Sequence, residues 1–185
     1  SIPLIGASPN VVLIVADDLR VEMGCYGSVA KTPHLDTFAK QAMQFERAYC
    51  QQAVCNPSRS SFLTGKRPDR LQLWNNGTHF REKNPDVITL PQWFKEKGYQ
   101  THCVGKIFHN WHTTEKGDRK SWSIDEFLHY ANHGDDKPIF EGKLPPNEAK
   151  AVTWNYGNTL LTECRNLPDT AYYDGRVAAE AVKTL

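Results

Sequence analysis

The run Val11-Val12-Leu13-Ile14-Val15 constrains this chain more than any other stretch. It is continuous and β-branched, preceded by Pro9-Asn10 and closed by Asp17-Asp18, which reads as a strand buried on both faces. Strands of that kind belong to α/β sheets. Two adjacent carboxylates then sit at the carboxyl end of the strand, where open α/β sheets place ligand sites. Their hard oxygen donors suit Ca²⁺ or Mg²⁺, and the same pair serves equally as a solvated turn or a helix cap.

Helical signals follow. Thr32-Pro33 supplies an N-cap and a first-turn proline, after which Leu35, Phe38, Ala39, Ala42 and Met43 keep helical spacing, predicting a helix over about 33–43. A second helix is expected to start near Pro57, carry Phe62 and Leu63 inward and stop at Gly65. A third runs from about Pro91 to Lys97, ends at Gly98 and leads into a short strand, Tyr99 to Val104. From Asn110 to Pro168 charged residues, Gly, Pro and scattered Trp replace the periodic pattern, as in a loop-rich, substrate-facing insert. A last apolar stripe, Tyr173, Val177, Ala178, Ala181, Val182 and Leu185, predicts a terminal helix that stops without a cap, so the 185 residues read as part of a longer chain.

Charge excludes some partners. Twenty-two Lys+Arg against 21 Asp+Glu leave a formal net charge of +1, and no block of like charges stands out, so bulk charge points to neither nucleic acid nor a membrane surface. The apolar run from Val11 to Ala16 is far too short to span a bilayer. Five cysteines (Cys25, Cys50, Cys55, Cys103, Cys164) are too irregularly spaced for a disulfide framework. Asn76-Gly77-Thr78 has the form of a glycosylation acceptor, a tripeptide that also arises often by chance.

The stretch around Cys55 carries chemistry. A proline in a helix's first turn leaves the residues beside it at the positive end of the helix dipole, with free N–H groups facing whatever binds there. Arg59 projects one turn further along the same face and stays charged at any ordinary pH. Together they could grip an oxyanion beside a nucleophile. Spacing alone leaves the alternative open that Cys55 is a small buried apolar side chain and Arg59 a surface cation.

Cys55-Asn56-Pro57-Ser58-Arg59-Ser60-Ser61-Phe62-Leu63-Thr64-Gly65 resembles the C-x-P-S-R-x-x-x-L-T-G signature of the type I sulfatases at every fixed position. The flanks resemble the same family: Val12 to Arg20 its first strand with the metal-binding acidic pair, Gly24-Cys25-Tyr26-Gly27 and Thr32-Pro33-His34-Leu35-Asp36 the segments that follow, and Val104-Gly105-Lys106-Ile107-Phe108-His109 its lysine and histidine segment. The Lys-x-x-His spacing, Gln51-Gln52-Ala53-Val54 and Ser121-Trp122-Ser123 look like the iduronate-2-sulfatase branch.

The resemblance implies an α/β, alkaline-phosphatase-like sulfatase fold with a mostly parallel or mixed sheet flanked by helices, of which residues 1–185 would form the N-terminal portion of the catalytic domain. It implies that Cys55 is oxidised to formylglycine by a formylglycine-generating enzyme and hydrated to a geminal diol. One hydroxyl attacks sulfur as the alcohol leaves; the second, once deprotonated, expels sulfate and restores the aldehyde. Asp17, Asp18 and residue 55 would hold the metal, Ca²⁺ or Mg²⁺, which lowers the diol's pKa and polarises a sulfate oxygen. Arg59 would stabilise the diol and metal ligands, Lys106 would contact the sulfate, and His109 would orient or deprotonate the second hydroxyl.

The implied substrates are sulfated carbohydrates, in a secreted, periplasmic or lysosomal setting. The family's second metal-ligand pair and its leaving-group acid are not recognisable here, so the remainder of a sulfatase chain or a companion chain is expected, and apolar faces should lie exposed. His133-Gly134-Asp135-Asp136 resembles the second ligand segment but lacks a preceding buried strand and reads as a solvated turn. His102, His109 and His112 lack the spacing of ordinary zinc sites. Two other readings stay open: a phosphonate or phosphate monoester hydrolase of the same superfamily, and a sulfated-glycan binding protein that keeps Cys55 as a thiol.

Overall fold

A computed structural model describes residues 8–109, 113, 115–127, 145–146, 148 and 164–185. The chain forms two compact units, Ser1–Tyr49 and Cys50–Leu185.

In the first unit, a 3₁₀ turn at Gly24–Tyr26 precedes helix α1, Pro33–Ala39. Asp36 ties the two together. Its carboxylate accepts from the Cys25 N–H and from the Thr32 hydroxyl, both at 2.8 Å, and the Thr32 hydroxyl in turn accepts from the Gly24 N–H at 2.9 Å. Thr32 therefore occupies the N-cap position without capping the helix, because its hydroxyl is engaged with Asp36. A Cβ at position 24 would lie 2.5 Å from the Asp36 carboxylate, so this close approach requires glycine. The helix is shorter than its apolar spacing suggested, ending at Ala39.

The segment expected to be a doubly buried strand is neither paired nor buried within this unit. Val11, Val12, Leu13 and Ile14 are 59%, 56%, 50% and 87% exposed, and no ladder includes them among the described residues. A parallel strand is stabilised by neighbours on both edges and layers on both faces; the described residues of the first unit supply neither. Leu35, Phe38 and Met43 are exposed for the same reason.

The second unit holds the core. Helix α2, Cys55–Thr64, begins two residues earlier than its proline suggested and stops at Gly65, whose φ of 67° lets its N–H close on the Ser61 carbonyl. Short helices α3, Pro68–Leu71, α4, Phe80–Lys83, and α5, Leu90–Glu96, follow. Thr89 caps α5 by accepting from the Gln92 N–H, and Pro91 occupies its first turn.

Leu63, Leu71, Leu73, Phe80, Val87, Cys103, Phe108 and Trp122 pack into one cluster. Phe108 is its pivot, stacked on Phe80 with ring centroids 4.9 Å apart and meeting Trp122 edge-on at 6.0 Å. Of the pair expected to point inward from α2, Leu63 is buried and Phe62 is not, since residues adjacent on a helix sit about 100° apart and cannot share one narrow face.

Residues 101–104 take the alternating burial of a strand but pair only in part. Thr101 and Cys103 accept from the N–H groups of Ser123 and Phe127, the Gly105 N–H donates to the Phe127 carbonyl, and Val104 forms a single parallel bridge with Phe127. Helix α6, Tyr173–Thr184, buries Tyr173 and leaves Val182 and Leu185 exposed, so only the first part of its apolar stripe is covered. Most of the expected insert at 110–168, including His112 and His133 to Asp136, lies outside the described residues.

Candidate active site

Cys55 is the first residue of α2 and is half-buried. The N-cap residue, Val54, has no side chain able to satisfy the helix's free N–H groups. Asn76 does so from a distant loop: its Oδ1 accepts from the Asn56 N–H at 3.0 Å. The Asn56 side chain, 1% exposed, answers by donating from Nδ2 to the carbonyls of Asn75 and Thr78 at 2.9 and 2.8 Å, while its Oδ1 accepts from the Ser60 hydroxyl at 3.2 Å. Two carbonyls that can only accept fix which end of the amide is nitrogen.

Arg59, only 4% exposed, is no surface cation. Its Nη1 donates to the carbonyls of Lys106 and Ile107 at 2.7 and 2.8 Å, joining α2 to the lysine and histidine segment. That segment is held from its other side by Phe108 in the aromatic stack, which leaves Lys106 half-buried and His109 buried. Gly105 enters it at φ 76°, and the space a Cβ would occupy there is 3.1 Å from Val177 of α6. Cys103, two residues upstream, is a different kind of cysteine from Cys55. Burial first, and the Glu126 charge second, push its thiol far above the ordinary range, so it stays protonated.

Asp17 and Asp18 belong to the first unit, where both are exposed at a bend and Asp18 takes a left-handed φ of 51°. Aspartate tolerates that region better than most residues. Exposed, adjacent carboxylates are a donor set suited to a hard divalent cation. Of the three histidines weighed for zinc, His102 is exposed and His109 buried.

A buried ionic network elsewhere in the second unit has no local sequence signal. Arg81 donates from Nε and Nη2 to the two oxygens of Asp118 at 3.0 and 2.8 Å. Asp118 also accepts from the Ser121 hydroxyl, which is hydrogen-bonded to the Thr89 hydroxyl. His79 completes the arrangement: Nδ1 accepts from the Arg81 N–H, and Nε2 meets the Gly117 carbonyl at 3.0 Å. These bonds join α4, the cap of α5 and residues 117–121.

Comparison with known proteins now assigns the chain. A match over residues 9–185 to the family model described as Sulfatase supports an alkaline-phosphatase-like fold. More narrowly, the chain belongs to the sulfatase family. It is 44% identical over 121 residues to iduronate 2-sulfatase of Homo sapiens, a region covering 64% of this chain and 22% of that protein. The mouse iduronate 2-sulfatase is 43% identical over the same shares. An N-acetylglucosamine-6-O-sulfatase of Bacteroides thetaiotaomicron is 34% identical over 119 residues, covering 63% of this chain and 20% of that protein. The chain thus spans about a fifth of the length of these relatives.

Proposed function

We propose that the full-length protein containing this chain is a sulfuric ester hydrolase that cleaves sulfate monoesters from sulfated sugars. The observation that carries the reading is the pairing of Arg59 with the carbonyls of Lys106 and Ile107, which joins the cysteine helix to the lysine and histidine segment as one structural unit. The names of the relatives, iduronate 2-sulfatase and N-acetylglucosamine-6-O-sulfatase, favour a sulfated glycosaminoglycan-type sugar as substrate.

Each residue then has a task. Residue 55, matured to formylglycine, presents its oxygen nucleophile at the amino end of α2, where the helix dipole favours developing negative charge. Lys106 supplies a mobile positive charge to a sulfate oxygen. The buried imidazole of His109 orients or takes up the proton released when the sulfated form of residue 55 breaks down. Asp17 and Asp18, with residue 55, would hold Ca²⁺ or Mg²⁺, which supplies Lewis-acid polarisation of the sulfate. Function outside the cytosol, as a secreted, periplasmic or lysosomal enzyme, fits this reading. Among the described residues no helix is long and apolar enough to cross a membrane.

Mass spectrometry of the peptide spanning residue 55, after co-expression with a formylglycine-generating enzyme, tests the maturation. A loss of about 18 Da relative to the thiol is expected at the activated cysteine. Assays of the full-length protein on aryl sulfate and aryl phosphonate test the reaction class. Preference for the phosphonate would favour the neighbouring hydrolase activity, and retention of sulfated glycan without turnover by an unconverted thiol would favour a binding protein.

A further inference from the structure

The tripeptide Asn76-Gly77-Thr78 has a role other than carrying a glycan. Its asparagine lends its side-chain oxygen to the N–H of Asn56, the residue directly after the nucleophile position. The N-cap position of α2 is valine, so without Asn76 this amide would face the site with no partner from its own turn. Asn56 returns two hydrogen bonds to the Asn76 loop, at the carbonyls of Asn75 and Thr78. A further bond from Ser60 stops the Asn56 amide from rotating. The result is a reciprocal asparagine clasp spanning 20 residues of sequence.

We propose that Asn76 is a positioning residue for residue 55. By capping α2 from outside the helix, it fixes the backbone immediately after the nucleophile and so sets the direction in which the residue 55 side chain leaves the helix. It touches neither substrate nor reacting atoms. The proposal rests on the sulfatase reading for its catalytic consequence, whereas the capping itself can be measured without turnover.

The test uses the full-length protein, co-expressed with a formylglycine-generating enzyme, in four forms: parent, Asn76→Ala, Asn76→Asp and Thr78→Ala. Asn76→Asp keeps the acceptor oxygen, and Thr78→Ala destroys the glycosylation tripeptide while leaving the Thr78 carbonyl in place. Amide hydrogen exchange at Asn56 should accelerate at least about ten-fold in Asn76→Ala and stay near parent in the other two, since a lost cap frees a terminal N–H. With rates normalised to the aldehyde fraction at residue 55, Asn76→Ala should lower kcat on an aryl sulfate about ten-fold with KM nearly unchanged, the signature of lost orientation. Asn76→Asp should recover most of that loss.

Two results would overturn the proposal: unchanged exchange at Asn56 in Asn76→Ala, or faster exchange with kcat intact. A fall in Thr78→Ala equal to that in Asn76→Ala would assign the effect to a glycan and overturn it as well. A parent protein that carries the aldehyde yet turns over no sulfate ester would defeat the sulfatase reading, and the catalytic role of Asn76 with it, while the exchange data still decide whether the cap exists.

Discussion

Arg59 donates through one nitrogen to the backbone carbonyls of Lys106 and Ile107, at 2.7 and 2.8 Å, across 47 and 48 residues of sequence. A cation at a helix start is thereby converted into a tether for the segment that bears Lys106 and His109. Arg59→Ala would leave two carbonyls without this partner in a buried setting. The expected loss is about 3 kcal/mol, read as a shift in the urea midpoint of unfolding. Arg59→Lys should recover only part of it, because an ammonium lacks the planar fork of a guanidinium. A midpoint unmoved by Arg59→Ala would show that the tether contributes nothing.

Arg81 and Asp118 form a second buried pair, with side chains 8% and 3% exposed. Removing one partner strands a charge away from water. Asp118→Ala should therefore cost about 3–5 kcal/mol, and the cost should vary little with salt. The exposed Lys183–Glu180 pair on α6 supplies the contrast, since Lys183→Ala should change stability by less than about 0.5 kcal/mol. Equal effects from the two substitutions would contradict the burial that separates them.

Gly105 is constrained by both its own backbone and its neighbour. Its φ of 76° lies in the left-handed region, and an added methyl would press on Val177 at 3.1 Å. Gly105→Ala is expected to cost about 1–2 kcal/mol from the backbone alone, with crowding added. In the double variant with Val177→Ala, only the crowding part should return. Full recovery of the parent melting temperature would mean that the backbone conformation carries no cost.

Cys103 makes stability depend on alkaline pH. Burial and the Glu126 charge raise its folded pKa, so the folded chain favours the neutral thiol. That contribution is intact below the unfolded thiol pKa of about 8.5 and declines as pH rises above it, because only the unfolded chain then releases the proton readily. The stability difference between parent and Cys103→Ala should shrink between pH 8 and 10, measured by denaturant unfolding at each pH. In the native protein at pH 8, iodoacetamide should label the exposed Cys50 and Cys164 well before Cys103.

Much of the local structure was legible in the residues themselves. Pro33, Pro91 and Gly65 mark helix ends that the structure keeps, because caps and stops are settled within one turn by φ restriction and the nearest free backbone group. The eleven residues from Cys55 to Gly65 pointed to the family that the comparison then assigned. Spacing was less dependable for burial. It put Phe62 inside and predicted a doubly covered strand at Val11–Val15, yet burial depends on what packs against a segment, and a run of apolar residues does not specify its partners.

By itself, then, the sequence determined the helix ends at Pro33, Gly65 and Pro91 and pointed to the family to which the chain belongs. Only the tertiary structure decided that Arg59 would bind two carbonyls, that Arg81 would find Asp118, and that Asn76 would cap a helix whose own cap is valine. The division follows from range. A cap or turn acts between groups that the backbone already holds close, while a buried polar group takes whichever distant partner the collapse of the core brings within about 3 Å.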